Sequence, residues 1–329
     1  MDAIARVAFG LDTKVHRGEN QDFAVSAFAA FSGFMTDTWD KVIMYHLMQH
    51  FPVVASAVGF WPEEAIRLKK VTHDVIKVDF CLKKSERKKK QNFWFINSQE
   101  RDEKNINGIG DFIDRLREFK KTKEPPITDG MIDAEGMIFI SAGFETTANT
   151  LGSLIFHLAT YPEIQEKVLA EIEDTIDSNE DITHENIKDL NYLEACIMET
   201  LRVCPPISEH DRTCTKDTEV KGIKIEKGTR IQLVIYASHF DEEFFPEPEK
   251  YKPERFLNDE ILPYTWRPFG AGNRVCIGQR LAMIEMKLFM AMLLRKFKIV
   301  KTNNTKIEPM LGGYIMIMYP EIKVKLELR

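Results

Sequence analysis

A cysteine in the stretch Phe269-Gly270-Ala271-Gly272-Asn273-Arg274-Val275-Cys276-Ile277-Gly278 sits at the mouth of a helix-forming run, beside an arginine and among glycines. Backbone N–H groups and the positive end of a helix dipole favour the thiolate, the form of cysteine that binds metal. Glycines at Gly272 and Gly278 let the backbone approach a flat ligand closely, and Phe269 can cover the other side of the sulfur. Arg274 can pair with a carboxylate on that ligand. A dinucleotide loop is excluded, because Gly270 and Gly272 start a GxG whose third glycine position is Val275.

Two further constellations carry chemistry. Glu199 and Arg202 lie three apart on one helical face, where their side chains can meet, and Arg255 can complete a buried triad. Such a group adds little net stability but fixes geometry, which assigns it to holding the cysteine loop rather than to turnover. An isolated ExxR would be a surface ion pair. Upstream, Ala142 and Thr146 share a helical face, and Gly143 removes bulk beside them, leaving room for a ligand against the backbone. The Thr146 hydroxyl and Glu145 carboxyl can hand protons to that ligand. Taken alone, Thr146-Thr147 equally reads as helix-interior threonine bonding back to a carbonyl.

Together these residues resemble the cytochrome P450 family. Phe269 to Gly278 fills every specified position of that family's haem-binding loop, FxxGxRxCxG. Ala142 to Thr147 looks like its oxygen-activating segment, Glu199-Thr200-Leu201-Arg202 like its ExxR, and Pro253-Glu254-Arg255-Phe256 like its PERF motif, in the family's order. The resemblance implies haem b with Cys276 as axial iron ligand, Arg274 and Arg212 meeting the propionates, and Phe269, Gly272, Gly278 and Ala142 against the cofactor. It implies proton delivery to iron-bound dioxygen through Thr146 and Glu145, with the thiolate pushing electrons from the other side. Ile138, Ser141, Ile207, Ser208 and Gly313 align with segments that line the substrate pocket.

The implied reaction inserts one atom of dioxygen into a lipophilic xenobiotic or endogenous molecule. No flavin or nicotinamide motif is present, so an NADPH-dependent flavoprotein reductase is the implied electron donor, with cytochrome b5 as a possible assistant. The motif spellings look most like the microsomal animal clan, which implies the cytosolic face of the endoplasmic reticulum membrane for a full-length parent. Two rivals stand beside this: a reductase-independent enzyme that rearranges peroxides, and an inactive or haem-free family member. Retention of Thr146 and Glu145 argues against the first.

The implied fold is mainly α with small β sheets, residues 1–329 forming one domain. Ahead of the segment resembling residues 1–10, the family carries an anchor helix, an early sheet and a WxxxR helix. Trp39, Trp61, Trp94 and Trp266 are followed four positions later by Ile43, Ala65, Ser98 and Gly270, so none makes that motif. The chain is therefore expected to lack the fold's N-terminal third, and to bind haem weakly or need the missing part to fold.

The elements that must position these groups are also legible. The first 125 residues read as helices broken by loops, with a basic run from Lys83 to Lys90 that reads as a solvated helix end ahead of the alternative, a patch for an acidic partner. Thr128-Asp129 offers an N-cap for a long helix to Tyr161, and Pro162 restarts the chain in an amphipathic helix to Ile176 with Ile164, Val168, Leu169 and Ile172 on one face. Another helix through Leu193, Cys196, Ile197 and Leu201 stops at Pro205-Pro206. Strands are expected around Gly222 and from Arg230 to Tyr236, then an irregular meander from Asp241 to Phe256. An apolar helix, Gln279 to Arg295, follows the cysteine loop, and short strands follow around Gly312-Gly313 and from Ile322 to Leu326. Met283, Met286, Met290 and Met292 are expected to pack the core.

Composition narrows the class. The chain has 329 residues, 44% hydrophobic and 29% charged, which excludes a disordered, collagen-like or coiled-coil chain. Fifty-one acids against forty-five basic residues leave −6, no overall field for nucleic acid. Five cysteines without a CxxC pair give neither a disulfide framework nor a four-cysteine zinc site. His46 and His50 are four apart without an HExxH pattern, and no apolar run reaches the ~18 residues of a membrane span. Asp211 and Lys216 read as solvated.

Overall fold

The structure is a computed structural model that describes residues 112–122, 127–258, 261–306, 310–312, 316–318 and 322–329. The expected early helices up to residue 111, the Lys83–Lys90 run, His46, His50 and Gly313 lie outside those residues. The chain forms two compact units, Met1–Glu145 and Thr146–Arg329.

The described part of the first unit holds α1 (Phe112–Thr122) and the start of α2 (Asp129–Thr160). Thr128 caps α2 as expected: the Met131 N–H donates to Thr128 Oγ1 at 3.2 Å. Phe112 of α1 stacks on Phe139 of α2, ring centroids 3.8 Å apart.

In the second unit, α3 (Pro162–Thr175) starts with proline in its first turn, where the missing N–H costs nothing. Its Ile164, Val168, Leu169 and Ile172 are all buried. A short 3-10 turn (Asn186–Asp189) leads into α4 (Asn191–Val203). Glu171 of α3 caps α4, accepting from the Tyr192 and Leu193 amides at 2.6 and 2.9 Å. The core forms where Leu154 and Leu158 of α2, Val168 and Ile172 of α3, Leu193, Ile197 and Leu201 of α4, and Met286, Met290 and Leu294 of α6 (Gln279–Lys296) converge. Each such side chain contributes about 1.5–3 kcal/mol of burial. Of the methionine stripe, Met286 and Met290 are buried as expected, but Met292 is 60% exposed. At about 100° per residue it lies roughly 120° around the helix from Met286 and roughly 160° from Met290.

The strands form four two-stranded antiparallel sheets among the described residues. β1 (Glu209–Thr213) pairs with β4 (Arg230–Val234), Glu209 opposite Val234. β2 (Thr218–Val220) and β3 (Ile223–Ile225) form a hairpin whose two turn residues, Lys221 and Gly222, have φ of 48° and 82°. That is the turn whose twist matches its strands. β5 (Phe297–Val300) pairs with β8 (Lys325–Leu328), and β6 (Met310–Gly312) with β7 (Met316–Met318).

Two departures have physical causes. The strand expected to reach Tyr236 stops at Val234, and Ile235–His239 form helix α5. The Ile235 and Tyr236 amides both donate to Ser208 O, at 2.8 and 3.0 Å, which ends the ladder. β1 itself has no apolar alternation and is held by β4; Asp211, expected to be solvated, is ion-paired across the strands with Arg230.

His157 of α2 is half-buried and stacks on Tyr251, ring centroids 4.1 Å apart, and His239 is fully buried. Burial and the Arg202 guanidinium lower the His157 pKa from 6.5 to about 3. Burial, chiefly, lowers that of His239 to about 4. Both stay neutral in the native chain while the unfolded chain takes up protons near pH 6.5, so their contribution to stability is full above pH 6.5 and lost below it. Urea unfolding should show stability falling from pH 7 to pH 5, by on the order of 2 kcal/mol per histidine. His157→Phe, which keeps a ring on Tyr251, should lessen that loss; a profile as steep as that of the parent would contradict the assignment.

Candidate functional site

Glu199 and Arg202 of α4 are both fully buried. Arg202 Nε donates to Glu199 Oε2 at 2.7 Å and Nη2 to Oε1 at 2.9 Å, a two-pronged pairing. The rest of the guanidinium is satisfied by carbonyls of the following chain: Nη1 donates to His239 O at 2.8 Å, and Nη2 to Pro248 O at 2.8 Å and Lys250 O at 3.2 Å. Phe240 and Phe245 rings stand 5.6 and 5.4 Å from its carbon. Arg255 joins more loosely, its Nε 3.4 Å from Glu199 Oε1, and donates to Glu247 O at 2.8 Å and to Pro246 O. The expected triad is therefore assembled, with Arg255 spending most of its donors on the meander.

The cysteine loop is built on this base. Trp266 donates from Nε1 to Met198 O at 3.1 Å and packs edge-on against both Phe269 and Phe256. The Gly270 N–H donates to Arg267 O at 3.0 Å, and the Cys276 N–H to Phe269 O at 2.8 Å. Gly270 and Gly272 hold φ of 74° and 73°, which a side chain adopts only with strain. A short turn, Gly272–Arg274, precedes Cys276, and Gly278 caps α6.

Cys276 is exposed, flanked by Val275 at 46% and Ile277 at 84% exposure. A Cβ built on Gly272 meets nothing within 4 Å, and one on Gly278 lies 3.9 Å from the Cys276 sulfur. The loop thus presents one thiol and an apolar rim to open space. No group of three or more His, Cys, Asp or Glu side chains able to hold a metal occurs among the described residues. A metal taken by one protein donor must bring its other ligands with it. A flat macrocycle that also covers Val275 and Ile277 fits this donor set.

The other predicted residues are placed as follows. Arg274 is exposed on the loop. Arg212, on β1, is exposed and donates from Nη1 to the Asp211 carbonyl at 2.7 Å. Ile207 and Ser208 are half-buried at the entrance to β1, and Ser208 O takes the two amides described above. Ile138, Ser141, Ala142, Glu145 and Thr146 all lie on α2, Ile138 at 55% exposure. Glu145 is buried, and burial raises its carboxyl pKa. Thr146 is half-buried, and its carbonyl accepts from Thr150 Oγ1 at 2.9 Å. Thr150 thus makes a back-bond of the kind expected of helix threonines.

Sequence reasoning missed Trp266 and His239. Trp266 follows no motif spacing, and a lone histidine in a polar meander carries no signal before its partners are known.

Comparison with known proteins places these features. A family model described as cytochrome P450 matches residues 1–328. Cytochrome P450 3A14 of Cavia porcellus is 29% identical over 325 residues, 96% of this chain and 60% of that protein. Cytochrome P450 3A5 of Homo sapiens is 31% identical over 316 residues, 93% of this chain and 58% of the relative. Cytochrome P450 3A29 of Sus scrofa is 40% identical over 177 residues, 53% of this chain and 35% of the relative. The matches to these three thus cover between 35% and 60% of their lengths.

Removing one partner of the buried pair leaves the other charge uncompensated. Arg202→Ala should therefore cost about 3–5 kcal/mol in urea unfolding, and Arg255→Ala about 1–2 kcal/mol. Equal losses from the two would contradict the unequal roles of the two arginines.

Proposed function

The chain belongs to the cytochrome P450 family, and from that premise we propose that it carries the catalytic part of a haem-thiolate monooxygenase acting on lipophilic organic molecules, xenobiotic or endogenous. The observation that supports this best is the thiol of Cys276, the one exposed cysteine among the described residues, set among glycines and an apolar rim with no competing metal cluster among those residues. Haem b, when bound, supplies the iron and the redox chemistry by which one atom of dioxygen enters the substrate.

The chain's own residues divide the remaining work. Cys276 holds the iron, and Phe269, Gly272 and Gly278 shape the surface against the macrocycle. Arg274 and Arg212, whose guanidinium groups make no ion pair among the described residues, take the cofactor's carboxylates. Glu145, its carboxyl pKa raised by burial, holds a proton closer to neutral pH than an exposed glutamate would. The adjacent Thr146 hydroxyl passes that proton toward the site beside Ala142. This pair favours monooxygenation over peroxide rearrangement, which needs no proton delivered. The family resemblance supports a role in substrate contact for Ile207 and Ser208, half-buried ahead of β1.

Electrons come from an NADPH-dependent flavoprotein reductase, with cytochrome b5 as a second donor, on the cytosolic face of the endoplasmic reticulum. The names of the relatives support the assignment to this class of enzyme. Among the described residues no helix is long and apolar enough to cross a membrane.

The test uses the whole protein that carries this chain. Its reduced, carbon monoxide-bound form should show the red-shifted Soret band of thiolate ligation, and Cys276→Ser should abolish it. A band unchanged by that substitution would remove Cys276 as the ligand. Thr146→Ala should lower product formation about 10²-fold while reductant use continues and peroxide is released. Unchanged coupling would refute the proton-delivery role.

A further inference from the structure

His239, the last residue of α5, is fully buried between α4 and the cysteine loop and makes three hydrogen bonds. Its carbonyl accepts from Arg202 Nη1 at 2.8 Å. Its ring Nδ1 lies 3.1 Å from Arg202 O, and its ring Nε2 lies 3.1 Å from the Arg267 amide nitrogen. An amide N–H can only donate and a carbonyl can only accept, so the tautomer is fixed: Nε2 carries the lone pair and Nδ1 carries the hydrogen. A protonated ring would set two donors against each other at Arg267. The two neighbouring guanidinium groups, Arg202 and Arg267, also disfavour a charged ring.

The bonds continue on both sides of the ring. Arg202 is locked to Glu199, as described above. On the other side, the Arg267 carbonyl accepts from the Gly270 N–H at 3.0 Å, and Phe269 O, inside that turn, accepts from the Cys276 N–H at 2.8 Å. A path of hydrogen bonds and one tight turn therefore runs from the buried carboxylate to the amide of the cysteine that bears the sulfur. Arg255 touches this path only at its Glu199 end and otherwise donates to carbonyls of the meander.

We propose that the neutral imidazole of His239 is a positioning residue that fixes the Cys276 loop in register with the Glu199–Arg202 pair, and so holds the sulfur at the cofactor. This rests on the haem-thiolate reading for its consequence at the metal, but the coupling of loop to helix is independent of it. His239 touches no reacting atom; it acts through Arg267.

Two substitutions separate its two faces. In His239→Asn the side-chain NH2 replaces Nδ1–H toward Arg202 O, and nothing reaches the Arg267 amide. In His239→Gln the longer side chain brings its oxygen to the place of Nε2, where it accepts from that amide. Hydrogen exchange of the whole protein should show the amides of residues 266–278 exchanging about tenfold faster in His239→Asn, with those of α4 unchanged. The carbon monoxide Soret band should move in part from the thiolate position toward that of a neutral-thiol ligand. His239→Gln should restore both readouts.

Loop exchange and Soret band unchanged in His239→Asn would overturn the inference, as would a His239→Gln variant as loose as His239→Asn. Should neither variant fold, nitrogen-15 spectra of the histidine-labelled parent decide alone: a bare Nε2 supports the inference and a protonated Nε2 overturns it. Should the parent show no thiolate band while loop exchange still rises in His239→Asn, the haem-thiolate reading fails and the loop coupling stands.

Discussion

Two opposite charges with no access to water, Glu199 and Arg202, are the constraint on which the second unit depends. Burying such a pair costs several kcal/mol per ion, and their attraction offsets that cost only when every remaining donor and acceptor is satisfied. Arg202 has donors left after the carboxylate is paired, and Glu199 Oε1 still accepts from the Lys252 amide at 2.8 Å. Chain that packs here must therefore supply carbonyls and amides at fixed points. Residues 239–255 do this, which explains how a proline-rich segment with almost no regular secondary structure is nonetheless ordered.

From that node the order is passed to the cysteine loop by two routes. One is apolar: Trp266 sits against Phe269 and Phe256 while its indole nitrogen holds the α4 backbone. The other is polar and runs through His239 to Arg267. The loop needs this support because its own composition offers little. Two of its glycines take positive φ, and its residues from Gly272 to Ile277 are exposed. A thiol on such a loop would wander by more than a metal bond tolerates, and metal-site geometry is set largely by what supports the ligand. The ExxR motif is thus better understood as a source of fixed hydrogen-bond directions than as a source of stability.

Much of this was legible in the residue order. Thr128, Pro162, Pro205-Pro206 and Gly278 are local punctuation whose effect does not depend on tertiary context, so the ends of α2, α3, α4 and α6 fall within a residue or two of expectation. The pairing of Glu199 with Arg202 follows from helical spacing alone. β1 was not legible, because Glu209 to Thr213 become a strand only through β4. The end of β4 was hidden for the same reason, since the Ser208 carbonyl that captures Ile235 and Tyr236 is 27 positions before the first of them. Arg255 was rightly grouped with Glu199, yet its stronger partners are backbone carbonyls that have no sequence signature. His239 was invisible because its meaning lies in two backbone atoms, Arg202 O and Arg267 N, that any residue at those positions could provide.

The central claim is that one protein sulfur, from Cys276, is bound to the iron of a cofactor resting on this loop. X-ray absorption at the iron edge of the haem-loaded protein tests it most directly. The account predicts a single sulfur scatterer in the first shell beside the nitrogens of the macrocycle, lost in Cys276→Ser. A first shell of nitrogen and oxygen alone in the parent protein, or a sulfur that survives the substitution, would contradict it.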